Sequence, residues 1–219
     1  MPRENTSKNR KRSPKKTLVI GVSGHRNINV KDRKLRKLLR DECARINREF
    51  KTDKFLMLSP LAEGADRIVA DIVMAELKAE LVVPLPLPRS DYEQDFPKTS
   101  HSFRKELKRA SLVIEAPIRS RGKAWRKYTP QRTLQYAWAG AYVVEHCEIL
   151  FAIWDGKPAR GIGGTAHVVK WFLQRHVPIR HRTRSLMSMH HPLPAGIPRE
   201  LIHIYPETLE VRRIKVQRK

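Results

Sequence analysis

Three short segments of this chain gather the residue types that hold phosphate and sugar. Gly161-Ile162-Gly163-Gly164-Thr165 sets three glycines and a hydroxyl just ahead of a helix-period stretch. Glycines let a backbone approach an anion closely, and the free N–H groups of a helix start point at that anion along the helix dipole. Thr165 adds a side-chain donor, so the spacing predicts a phosphate cradle. The loop carries neither the Gly-Lys-Ser/Thr of a P-loop nor the G-x-G-x-x-G of dinucleotide folds. In Gly21-Val22-Ser23-Gly24-His25-Arg26, the planar fork of Arg26 suits a phosphate or carboxylate, with Gly24 and His25 beside it. Ser59–Asp66 supplies carboxylates: Glu63, then Gly64, then Asp66 in the first turn of a helix, where the dipole favours negative charge in any case. Glu63 suits ribose hydroxyls, as acidic residues do in nucleotide sites, and Asp155 is a second carboxylate candidate.

These segments matter because each follows a predicted strand. Thr17–Val22, Phe55–Leu58, Glu80–Leu85, Leu112–Ala116 and Ile149–Trp154 read as continuous apolar runs. Between them run helix-period stretches at Val30–Phe50, Ala65–Leu77, Lys98–Ala110 and Arg132–Cys147, with a further helix at Gly164–His176 and a short strand at Val177–Arg180. Such alternation predicts an α/β fold, a Rossmann-like three-layer α/β/α arrangement on a mostly parallel sheet. Continuous apolar strands agree with burial on both faces. In open parallel sheets ligands bind beyond the carboxyl ends of the strands, where all three segments fall.

The chain divides into a basic tail over 1–16, a Rossmann-like domain over 17–182, and a C-terminal extension packed on that domain over 183–219. The tail holds seven Lys/Arg against the single Glu4 and is expected to be disordered. With 45 Lys+Arg against 22 Asp+Glu, the net charge of +23 favours polyanions, and the tail suits nucleic acid. Ile118–Pro130 is a basic loop whose Trp125 and Tyr128 have the chemistry to stack on bases. A hydrophobic fraction of 40% supports a real core. No apolar run approaches the ~20 residues of a membrane span, and no apolar h-region marks a secretory signal. Cys43 and Cys147 read as free thiols of a cytoplasmic protein. The nine histidines show no metal-ligand spacing, so no metal and no cofactor is implied. Ser23 lacks the flanking pattern of a nucleophile elbow.

Taken together, G-x-S-G-H-R after the first strand, S-x-L-A-E-G-A-D after the second, P-L-P with Asp91-Tyr92 after the third, and W-D-G with G-I-G-G-T-A after the fifth resemble the SLOG superfamily, over roughly Leu18 to Arg180. That group takes in the YpsA-like proteins, the LOG phosphoribohydrolases and the DprA fold. The likeness is strongest to the YpsA-like branch. It implies a Rossmann-like sheet and a site for a nucleotide or nucleotide-derived ligand. The LOG enzymes carry a glutamate three residues after the loop threonine, and this chain has Val168 there. Valine can neither activate water nor stabilise an oxocarbenium-like ribosyl centre.

The expected ligand set is therefore Gly24, His25, Arg26, Glu63, Gly64, Asp66, Gly161, Gly163, Gly164 and Thr165. Binding and sensing of a nucleotide-like small molecule is the leading reading. N-glycosidic hydrolysis of nucleoside monophosphates, with Glu63 and Asp155 in catalytic roles, is the alternative. Nucleic-acid binding through the tail and basic loop is a third, and a homo-oligomer is compatible with all of them.

Overall fold

A computed structural model describes residues 16–117, 129–159, 161–178 and 199–216. All of the tail except Lys16, most of the Ile118–Pro130 loop with its aromatics, and Arg160 lie outside the described residues. The elements run β1 (Thr17–Gly24), α1 (Arg33–Glu49), β2 (Lys54–Leu58), α2 (Ala65–Leu77), β3 (Glu80–Leu85), α3 (Arg89–Glu93), α4 (Ser100–Leu107), β4 (Ala110–Glu115), α5 (Pro130–His146), β5 (Ile149–Ile153), α6 (Thr165–Gln174), β6 (Arg199–Ile204) and β7 (Val211–Val216).

The strands form one sheet in the order β4-β3-β2-β1-β5-β6-β7, parallel throughout except for the antiparallel β7. The fold is α/β and Rossmann-like. Alternate strand residues feed two cores. Leu18, Ile20, Phe151 and Ile153 pack with Leu39, Ile46, Ile68 and Val69 of α1 and α2. On the opposite face, Val19, Leu150 and Ala152 pack with Tyr142, Val143, Val168 and Phe172 of α5 and α6. Both cysteines are free and buried, and burial pushes each thiol up to about 12. Among the described residues no helix is long and apolar enough to cross a membrane.

Helix starts follow local chemistry. Asp32 caps α1, its carboxylate accepting from Lys34 N–H at 2.7 Å and Leu35 N–H at 3.3 Å. α5 begins on Pro130 behind Thr129, whose hydroxyl accepts from Arg132 N–H. α6 begins on Thr165 behind the N-cap Gly164, which offers no side-chain acceptor.

The C-terminal region departs from expectation. Val177 and Pro178 are not in a strand, and a proline within a strand lacks the N–H a ladder needs. The position beside β5 belongs to β6, in register Ile149↔Glu200 through Ile153↔Ile204. Residues 199–216 are thus part of the sheet and not a layer laid upon it. A charge network, buried at Glu42 and Glu200 and exposed at Arg213, fixes them: Arg45 of α1 donates to Glu42 at 2.9 Å and to Glu200 of β6 at 2.8 Å, while Arg213 of β7 pairs with Glu42. Those two cations hold the Glu42 carboxyl below its ordinary value against the opposing effect of burial.

Candidate ligand-binding cleft

The order of strands reverses between β1 and β5, whose carboxyl ends lie side by side with Gly24 opposite Ile153. Such a switch point leaves a crevice in a parallel sheet. Here it opens into a cleft of about 780 Å³, within the usual range for small-molecule sites of roughly 300–1,000 Å³. Val22, Ser23 and Gly24 form its floor, Pro60, Ala62 and Asp66 one wall, and Gly161–Thr165 with Val168 another. Tyr92, Asp95, Arg132 and Tyr136 complete the lining.

At the glycine loop, Gly164 N–H bonds Gly161 C=O at 3.2 Å and His167 N–H bonds Gly164 C=O at 2.9 Å. The Thr165 and Ala166 N–H groups have no acceptor among the described residues, so the first turn of α6 keeps two open donors, and Thr165 lines the cleft. The Ser23 hydroxyl lies 3.4 Å from that of Thr165.

Asp66 sits in the first turn of α2 and is only 6% exposed. Its Oδ2 accepts from Ala62 N–H at 3.2 Å. Burial pushes this carboxyl up to about 7, although the Ala62 N–H, Arg26 and Arg67 pull it down. Arg26 lays its guanidinium over the Phe96 ring, 5.4 Å from the centroid. Desolvation works against its charge but is outweighed by Tyr92, Tyr136, Asp95 and Asp66, so its pKa is raised. Arg67 stands over the same ring at 4.8 Å. Tyr92 packs edge-on against Phe96 and Phe103 at 4.9 and 5.6 Å, a geometry worth roughly 0.5–1.5 kcal/mol per pair beyond burial.

Asp95 is the best-held acid of the cleft. It accepts from Arg132 and from the Tyr136 hydroxyl, and Arg132 also donates to that hydroxyl at 3.2 Å. Burial and Asp95 together raise the Tyr136 pKa.

Of the residues singled out in the sequence, Gly24, Arg26, Asp66, Gly161, Gly163, Gly164 and Thr165 meet in this lining. His25, Glu63, Gly64 and Asp155 are outside it. Glu63 accepts from the Thr99 hydroxyl, which in turn accepts from Arg67 at 3.0 Å, so its carboxylate ties the β2–α2 loop to the start of α4. Gly64 holds φ +77°, and a Cβ there would stand 2.3 Å from Arg26 C=O. It is a backbone contact between two loops, not an open surface. Asp155 accepts from Lys157 N–H at 3.1 Å and stands 3.5 Å from His25 Nε2. Its pKa is lowered, chiefly by the Lys157 N–H.

No family model, curated protein or solved structure matches this chain.

Tyr92, Asp95, Arg132 and Tyr136 did not stand out in the sequence as a group. Their spacing carries a signal nonetheless: 92 and 95 lie three apart beside Phe96, and 132 and 136 lie one helical turn apart. Arg132 and Tyr136 share one face of α5, and Asp95, in the turn just past α3, meets them through its hydrogen bonds.

Proposed function

We propose that this protein binds a nucleotide or nucleotide-derived phosphorylated ligand in the switch-point cleft and acts as a sensor of it. The observation that carries the reading is the start of α6, where Thr165 lines the cleft and its N–H, like that of Ala166, has no acceptor among the described residues behind a glycine N-cap. Open N–H groups at a helix start, with the dipole behind them, suit a phosphate. The SLOG-like motifs point the same way.

Binding without turnover is favoured over hydrolysis by what lines the wall. Val168 lies there, where the resemblance would put a glutamate, and the carboxylates of Glu63 and Asp155 are engaged outside the cleft.

A thermal-shift series with AMP, GMP and ADP-ribose tests the reading. A ligand at ~100 times its Kd stabilises the folded state by roughly 2.7 kcal/mol, several degrees for a chain of this size. Gly161 is the position at which to block it, because a Cβ there meets no atom within 4 Å and the residue lines the cleft. Gly161→Trp is expected to keep its melting temperature and lose the shift. No shift in the wild type, or a normal shift in Gly161→Trp, would overturn the reading.

A further inference from the structure

Three polar groups in the cleft have no partner of their own. The Asp66 oxygen Oδ1 makes no hydrogen bond, although the residue is buried and lines the cleft. Tyr92 is 1% exposed, lines the same wall, and its hydroxyl bonds to no described residue. Arg26, an exposed residue at the cleft mouth, rests its guanidinium on Phe96 and makes no hydrogen bond among the described residues. Asp66 and Arg26 act on each other electrostatically yet do not bond. Polar atoms of buried residues are rarely left unpaired, and the free oxygens of Asp66 and Tyr92 sit on buried residues that line the cleft, which leaves them to be met by water or by a ligand there.

The set is one acceptor, the carboxylate, beside two donors, a guanidinium and a phenol that also accepts. A second phosphate suits Arg26 but would face the Asp66 carboxylate. An apolar group would leave all three unsatisfied. An uncharged group carrying several hydroxyls satisfies them together, each hydroxyl giving a proton to Asp66 while taking one from Arg26 or Tyr92.

We propose that Asp66, Arg26 and Tyr92 form a second recognition point of the cleft, which takes the hydroxylated sugar part of the ligand whose phosphate lies at α6. This rests on the phosphate reading above and adds the sugar to it. A proton linkage follows. Hydroxyls donating to Asp66 favour its ionised form, so sugar binding near neutral pH expels a proton. The groups acting on Asp66 are Arg26 from the loop after β1, Arg67 from its own helix, the Ala62 N–H from the β2–α2 loop, and the Tyr92 phenol from α3. None of these titrates near pH 7, so the released proton belongs to Asp66.

Calorimetric titration with ribose 5-phosphate and with inorganic phosphate, at pH 7 in two buffers of different ionisation enthalpy, tests this. The wild type is expected to bind ribose 5-phosphate at least tenfold more tightly than phosphate and to release a fraction of a proton more with the sugar than without it. Asp66→Asn keeps the shape of the side chain. Its expected result is a sugar advantage cut to within about threefold, loss of that proton release, and unchanged phosphate affinity. Tyr92→Phe, which keeps the ring cluster, should lower the sugar advantage severalfold. Equal wild-type affinity for the two probes, or a sugar advantage and proton release that survive Asp66→Asn, would overturn the second point and leave the phosphate site standing. Failure of the wild type to bind either probe would overturn the phosphate reading, and this inference with it.

Discussion

Gly163 lies against the backbone of Ala137: a Cβ built on Gly163 would stand 2.7 Å from both the N and Cα atoms of Ala137. Gly163 also has φ +86°, where a side chain is strained whatever the room. This one contact seats the loop against α5 and so sets the height of the α6 N-terminus above the sheet.

Gly163→Ala is therefore expected to destabilise the protein by about 2–4 kcal/mol, because strain and backbone overlap act together. Gly161→Ala, two residues away in open space, should change stability by less than about 0.5 kcal/mol. Urea unfolding of the two variants checks the contrast.

Asp66 and Glu148 give the stability a defined pH dependence. Burial pushes both carboxyls up to about 7, from ordinary values of 3.8 and 4.5. A folded-state pKa above the unfolded one means that the protonated form favours the fold. Their contribution is complete below about pH 4 and lost as the pH rises through about 7, at roughly 1.4 kcal/mol per unit of separation. Denaturation at pH 5.5 and pH 8 should show a wild-type loss that Asp66→Asn and Glu148→Gln each reduce.

The network joining α1 to β6 and β7 should be costly to break from the inside. Arg45→Met leaves Glu200, 1% exposed, without its cation, and a stranded buried charge costs about 3–5 kcal/mol. Glu49→Ala removes the half-exposed partner of the same arginine at 2.7 Å and should cost under about 1 kcal/mol. Thermal unfolding of the pair separates the two cases.

Glu63→Gln is expected to leave any nucleotide-induced thermal shift unchanged, since the Glu63 carboxylate serves Thr99 and lies outside the cleft. The melting temperature itself should drop by no more than a few degrees. A lost shift would return Glu63 to the ligand.

β1, β2, β3 and β5 were legible because each is buried on both faces and so reads as an unbroken apolar run, whereas the edge strand β4 was legible only from its apolar Leu112–Ile114, of which Leu112 and Val113 are exposed. β7 was not: in Val-Arg-Arg-Ile-Lys-Val the central residues are exposed, and their charges resemble any solvated loop. β6 was legible as a strand over Leu201–Tyr205, but its place in the sheet depends on Glu200 meeting Arg45, 155 residues earlier, which no local pattern records. The same limit separated Glu63 from Asp66. Both carboxylates stand at the start of one helix, and only the positive φ of Gly64 shows that the chain turns between them.

The late arrival of β6 also bears on synthesis. Ile149–Ile153 leaves the ribosome about 50 residues ahead of Arg199–Ile204, the strand that covers its outer edge. Through that interval β5 offers an unpaired ladder with apolar side chains on both faces, which is a template for strand exchange between neighbouring nascent chains. A pause in elongation before Arg199 is expected to prolong the stage at which this edge of β5 stands bare.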